Sequence, residues 1–525
     1  MHALSLYYYE GINIIYIAEI DTRALIARPS LILELPSRAM RASTRLFRVD
    51  GLVALSRATR SFPKLARGTV MSASGSDPNS VSGARRARVA VVGGGIAGLT
   101  AASHLARAGC DVVVYETGRG PGGRTSTRRG GPERPEWQWD HGAQYFSCKE
   151  PDGPFRPILE EWIAAGCVAE WTGVFGVLDA TSGVFTLESS DAAGSKDGRG
   201  SSLAPMKKRF VGTPGMNAVC KSLASAKNVH VLTSRRVVGF EGGPTDTSPT
   251  AKWTVLHRSS DSSRAGDALT RDVGYAAIVA ADKQLASDRS RRVYGEPPPA
   301  EGLRADTVRD GMRAAGQTPS FALMLAVRAD EGDAPLFNFD GAVVEGDDVI
   351  GWIACDGGKP GRPGGGDFNV SSGYKDRPRT RCWVVQSTAA YAAERIKAKM
   401  TVPGTSPHAA LLEEVAEEMT AATVAAARRA RNVPAQTRSE SPIIPEVVYA
   451  AAHRWGAAFP IDSAVVAEIA ESSGSRPGCL EEPERRVVGC GDFCVSPKVD
   501  GAAISGAAAA AATLAFLGIG LGASL

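Results

Sequence analysis

Three glycines and one carboxylate have the clearest chemical meaning in this chain. Gly93, Gly95 and Gly98 stand in the order GxGxxG, and Glu116 follows them. RVAVVGGG reads as a buried strand entering a turn. IAGLTAASHLARAG reads as a helix with small residues on one side, stopped at Gly109, and CDVVVYE as the next strand. Together they make a βαβ unit of about 30 residues, the frame in which this glycine pattern binds dinucleotides. Gly93 permits the tight turn, Gly95 lets a pyrophosphate approach the backbone, and Gly98 lets helix and strand pack closely. Ile96 and Ala97 open the helix whose positive N-terminus receives the phosphates. Glu116, at the end of the second strand, can accept hydrogen bonds from ribose hydroxyls.

A second glycine segment follows at once. In ETGRGPGGRTSTRR, Gly122, Gly123 and Arg124 come six, seven and eight residues after Glu116. A fixed guanidinium there suits a phosphate or the polar edge of a flavin. The segment resembles the second glycine motif of the FAD-dependent amine oxidases and their relatives. Further stretches resemble the renalase-like flavoproteins within that superfamily. They are WDHGAQYFS (139–147), RFVGTPGMNAVCKSLA (209–224), TSRRVVGFE, CWVVQSTAAYA, AAHRWGAAFP and CGDFCVSPKVDGAAISG. They run in family order from Arg88 to about Leu517 and are specific as a set rather than singly.

The resemblance implies FAD as cofactor. It implies that Asp140 to Gln144, with Gly142, Ala143 and Gln144 among them, approach the flavin or its phosphates. It also implies that the backbone at Val237 meets the adenine and that Gly491 and Asp492 lie at the ribityl or phosphate region. Gln386 stands where the family strand often has His. An imidazole changes charge near neutral pH and an amide does not, so this departure bears on the substrate and not on the flavin. Gln386, Tyr145 and His453 are the candidate catalytic residues; a core role for Tyr145 and a structural one for His453 compete with this.

The elements needed to position these residues are those of an α/β protein: a Rossmann-like FAD-binding domain assembled from separated segments, and a mixed or antiparallel sheet that covers the flavin. The 525 residues suit two domains with extensions. Residues 88–148, 209–285 and 484–517 are assigned to the first, and 149–208 with 286–483 to the second. Alternating runs such as VHVLTSRRVVGFE, KWTVLHR, FALMLAV and CWVVQST are expected in antiparallel sheet, and 411–431 in a helix. Ser189–Ser202, Gly242–Thr250, Ser259–Asp272 and Asp356–Tyr374 are polar, Gly/Ser-rich and expected as surface insertions. The apolar C-terminal stretch is expected as a small-residue helix buried against the nucleotide fold. No membrane span is expected, because Ala and Gly contribute little to insertion.

Residues 1–87 are expected as an extension outside the folded enzyme. Residues 1–88 carry 13 Lys/Arg against 6 Asp/Glu, and Arg38–Ser72 holds eight basic residues and one acid. Arg-rich, Ser-rich, acid-poor composition reads as an organelle transit peptide, with the plastid favoured. The remainder is near neutral, with 47 basic and 50 acidic residues, so no nucleic acid is expected as a partner. The nine cysteines follow no disulfide framework or metal spacing. No HExxH segment, Cys/His cluster or nucleophile triad stands at credible spacing, and none is needed where a cofactor accepts the hydride. The sequence therefore points to an FAD-dependent oxidoreductase. Resemblance to the renalase-like proteins implies a small, reduced, dihydronicotinamide-type substrate and oxygen as acceptor. Amine oxidation, or flavin binding with a structural or assembly role, remains the alternative.

Overall fold

The computed structural model describes residues 3–7, 16–20, 86–150, 152–188, 208–260, 268–328, 335–363, 379–399, 408–432, 444–461 and 463–520. Met1–Val81 is a unit of its own, in which Ala3–Tyr7 pairs antiparallel with Tyr16–Ile20. The basic stretch read as a transit peptide lies outside the described residues. So do 189–202, the middle of Ser259–Asp272, and 364–374.

The second unit, Ser82–Leu525, carries the glycine motifs. Its parallel sheet runs in the order Val229–Leu232, Asp111–Tyr115, Arg88–Val92, Ala277–Ala280, Val487–Gly489, with Leu480–Glu482 added antiparallel at one edge. These strands are apolar on both faces because both are covered. Val89, Val91, Val112 and Val114 pack with the helices Ile96–Arg107 and Val499–Phe516 in one apolar cluster. Ala90, Val92, Val113 and Tyr115 point the other way into a second cluster. That cluster takes Val237, Phe240, Trp253 and Val255 from a three-stranded antiparallel sheet, Arg235–Gly242, Trp253–Ser259 and Thr270–Tyr275. It also takes Leu303, Val308, Met312 and Val466. The sequence division grouped those four with the other sheet.

The run VHVLTSRRVVGFE is corrected here. Ser234, at φ +54°, breaks it into two strands. Val229–Leu232 extends the parallel sheet, and only Arg235–Gly242 is antiparallel.

The other sheet has seven strands, in the order Val447–Pro460, Gln317–Arg328, Thr380–Ser387, Ile350–Cys355, Gly341–Glu345, Phe175–Asp179, Phe185–Leu187. All pairs are antiparallel except Gly341–Glu345 with Phe175–Asp179. The helix His408–Asn432 buries Leu411, Val415 and Met419 in this sheet's apolar cluster. The architecture is thus the α/β one expected: a Rossmann-like domain from separated segments and a mixed sheet.

Val499–Phe516 is, among the described residues, the one helix long and apolar enough to cross a membrane, and 61% of it is buried within the fold. It lies close on Ile96–Arg107: a Cβ on Gly506 would come 2.3 Å from the Ala97 carbonyl oxygen. Its small residues are what lets the two helix backbones approach.

Candidate functional site

A cavity of about 680 Å³ opens at the carboxyl ends of the parallel strands and is walled on its far side by the mixed sheet. Ligands bind at this edge in open α/β sheets because successive strands leave in opposite directions there. Gly93, Glu116, Asp282 and Gly491 each stand just past a strand end and line it.

The turn is built as its glycines require. Gly93 has φ +113°, a conformation that side chains resist. A Cβ on Gly98 would sit 2.1 Å from the Gly93 carbonyl oxygen, so that position is closed by packing. Gly95 differs: a Cβ there would meet nothing within 4 Å. The packing of the protein does not call for a glycine at that point, whereas a group entering the cavity would. The helix behind it starts at Ile96 with no side-chain cap and no acid in its first turn. Its first N–H groups are therefore available to an anion.

Glu116 holds the turn from the side. Its carboxylate accepts from Gly94 N at 2.8 Å and Gly118 N at 2.5 Å. Each oxygen keeps a lone pair for a ribose hydroxyl. Burial raises its pKa, opposed by these two N–H groups. Gly122 donates its N–H to Gly94 O at 2.9 Å, which ties the second glycine segment to the first. Arg124 donates to Asp492 through both ends of its guanidinium, and Ala143 N donates to Arg124 O at 2.8 Å.

Most of the residues expected at the site line this cavity: Gly93, Gly95, Ile96 and Ala97; Glu116, Gly122, Gly123 and Arg124; Gly142 to Tyr145; Gln386; and Gly491 with Asp492. Gly98 supports the turn from behind. Val237 is not in the wall; its side chain is buried in the second apolar cluster. His453 is not in the wall either. Its ring packs 4.7 Å from His141 and 4.6 Å from Trp455, which does line the cavity.

Asp140 and His141 are corrected. Asp140 is fully buried behind the wall, where its carboxylate meets Arg362, Lys359, Thr127 Oγ1 and the backbone N–H of Met216. Burial opposes its ionisation, and Lys359 and Arg362 outweigh that, so its pKa lies below the usual range. Asp356 pairs with Lys359 and accepts from Asp140 N at 2.6 Å. All four charged groups are almost wholly buried and balance in sign. Burial explains the balance, since an unpaired charge there costs several kcal/mol, on the order of 3–5. The start of Asp356–Tyr374, expected as surface, is therefore interior. Its D-x-x-K-x-x-R spacing, 356, 359 and 362, was the available signal. His141 stacks on Trp455, and burial, His453 and Arg128 push its pKa down to about 4.

Sequence reasoning missed other wall residues. Asp282 and Lys283 follow the buried strand Ala277–Ala280 just as Glu116 follows Asp111–Tyr115. Trp352 and Phe459 come from the mixed sheet. Trp352 is paired with Gln386 across two strands, and its ring lies 5.6 Å from that of Tyr145.

The model of the NAD(P)-binding Rossmann-like domain family matches residues 91–162. That of the alanine dehydrogenase/PNT C-terminal domain matches residues 54–120. Among solved structures, an oxidoreductase from Methanosarcina mazei is similar at 12% identity and TM-score 0.45, over 80% of this chain and 99% of that one. A putrescine oxidase redesigned in its cofactor binding is similar at 14% identity and TM-score 0.46, over 82% and 99%. Strand order, glycine turn and the first family match agree: the chain carries a Rossmann-like nucleotide-binding domain.

Proposed function

We propose that the protein is an FAD-dependent oxidoreductase that oxidises a small, reduced, dihydronicotinamide-type molecule, with dioxygen as final acceptor. The observation that carries this reading is the continuity of one cavity, from the open space at Gly95 past Glu116 and Arg124 to Tyr145, Trp352 and Gln386 on the facing sheet. Its near end fits a pyrophosphate and ribose, and its far end leaves room for a ring and a substrate against it. The glycine segment at 122–124, tied to the first turn and clamped by Asp492, supports FAD over a dissociable nicotinamide nucleotide.

When bound, the flavin supplies the hydride acceptor, so the protein need provide only position and electrostatics. The Ile96 helix N-terminus and Glu116 hold the nucleotide portion. Arg124, fixed by Asp492, holds a phosphate or the ring's polar edge. Tyr145 and Trp352 form an apolar, aromatic flank that excludes water from the transferring hydride. The substrate loses two electrons and one proton as hydride, and dioxygen takes these together with one further proton from solvent to give hydrogen peroxide. Among the described residues, the mixed sheet lines the cavity with no ionisable side chain, which suits an uncharged ring better than an ammonium.

The test is direct. Purified protein should be yellow and should release FAD with acid. Anaerobic mixing with a panel of dihydronicotinamides and amines should bleach the flavin absorbance with the former. A colourless protein that cannot be reconstituted with FAD overturns the reading. Flavin bleached only by amines moves it to amine oxidation, and flavin bleached by nothing moves it to a binding role.

A further inference from the structure

An amide side chain can present either its carbonyl or its NH₂ to a ligand, and at Gln386 the surroundings decide which. A backbone carbonyl only accepts and a lysine ammonium only donates. Gln386 Nε2 donates to Gly142 O at 2.7 Å. The flipped amide would set Oε1 against that carbonyl oxygen, acceptor on acceptor.

Gly142 O is itself held in place. Gln144 Nε2 donates to it at 3.1 Å and also to Asp140 O. Gln144 cannot flip either, because Lys359 Nζ lies 3.4 Å from its Oε1. Lys359 is in turn locked between Asp356 and Asp140, with no exposed surface on its side chain. Two donors occupy both lone pairs of Gly142 O, so no ligand group can compete for it. Gln386 Oε1 is left without a partner among the described residues, on a side chain that lines the cavity.

We propose that Gln386 is a specificity-determining residue whose Oε1 accepts a hydrogen bond from an N–H donor on the substrate, the primary carboxamide of a dihydronicotinamide-type ring. The inference rests on the flavoenzyme reading of the same cavity. It adds what that reading lacks: the polarity of the contact, and hence which ring substituents the site accepts. A carboxamide brings an N–H to this oxygen. A tertiary amide of the same ring brings none and leaves the acceptor buried against a methyl group.

The experiment titrates the oxidised, flavin-loaded protein with nicotinamide and with N,N-dimethylnicotinamide, and reads the perturbation of the flavin absorbance. Flavin content is measured first, so failure of the cofactor reading shows as absent flavin, before any ligand is added. Nicotinamide should bind at least about ten-fold more tightly than the dimethyl compound, the effect of one lost hydrogen bond to a buried partner. Gln386→Leu should bring the ratio to about two-fold or less by weakening nicotinamide alone, with flavin retained. Gln144→Leu, which loosens the Gly142 carbonyl without removing a charge, should lower the ratio part of the way. A purely structural role would weaken both ligands alike and leave the ratio unchanged. Equal affinities in the wild type, no binding of either ligand to flavin-loaded protein, or an unchanged ratio in Gln386→Leu would each overturn the proposal.

Discussion

Arg124 and Asp492, 368 positions apart in the chain, meet in two parallel hydrogen bonds: Nη1 to Oδ2 at 2.7 Å and Nη2 to Oδ1 at 2.6 Å. The aspartate side chain is 6% exposed and the arginine 41%, the latter open to the cavity. Planar, two-point pairing fixes the guanidinium in a way an ammonium cannot reproduce.

Arg124→Lys and Asp492→Asn are therefore expected to weaken FAD retention by about ten- to a hundred-fold each, the scale of one charge-assisted hydrogen bond at a part-buried site. The double variant should lose less than the sum, since both changes break one clamp. Equilibrium dialysis of FAD checks this. Additive losses would mean that the two residues act separately.

The glycine turn offers a sharper comparison. Gly95→Ala adds a methyl group into open space, so the melting temperature of the apoprotein should stay within a degree or two while FAD binding falls at least about ten-fold. Gly98→Ala puts a methyl group 2.1 Å from a carbonyl oxygen and should cost about 1–3 kcal/mol of stability as well as the cofactor. Differential scanning fluorimetry with and without FAD separates the two. Equal destabilisation by both would show that Gly95 serves packing after all.

Asp140→Asn should be among the most damaging single changes. It leaves Arg362 and Lys359 facing one remaining carboxylate where the side chains have almost no exposed surface. A loss of about 3–5 kcal/mol is expected in urea unfolding. A loss under about 1 kcal/mol would show that water reaches this cluster.

Acid should weaken the fold in part through His141. Its pKa is about 4 in the folded chain, against an ordinary value of 6.5. The unfolded chain therefore binds the proton more readily, and stability from this residue is complete above about pH 6.5 and lost as pH falls toward 4. The total is on the order of 3 kcal/mol. His141→Asn should flatten the urea midpoint over that interval relative to wild type. An unchanged slope would assign the acid sensitivity to other groups, His104 first, since burial also takes its pKa to about 4.

The legible parts of this molecule are those whose meaning is local. Gly93 to Glu116 spell out a strand, a turn, a helix and a strand, and each residue's role follows from neighbours within about 25 positions. Gln386 and Tyr145 line the cavity, and the signal for them in the sequence is the likeness of whole segments rather than any local spacing. Asp140 failed for a different reason. Its charge is answered by Lys359 and Arg362, more than 200 positions later, and a lone Asp two residues before a glycine looks the same at a turn as in a buried cluster. His453 sits one layer behind the wall, because lying on the correct strand does not say which face a side chain takes when bulges interrupt the pairing.

The interleaving of the chain has a consequence in time. Ala277–Ala280 has Arg88–Val92 on one side, but its other edge is closed by Val487–Gly489, and Ile96–Arg107 is covered by Val499–Phe516. About 200 residues separate the strand from the one that closes it. At a synthesis rate of about 5–20 residues per second, the nascent chain spends roughly 10–40 s with a fully apolar strand edge unpaired. During that interval the edge is a template for any other extended chain. Premature termination between residues 280 and 487 leaves the edge open permanently. Such fragments are expected to be recovered in inclusion bodies or degraded, however complete their glycine motifs.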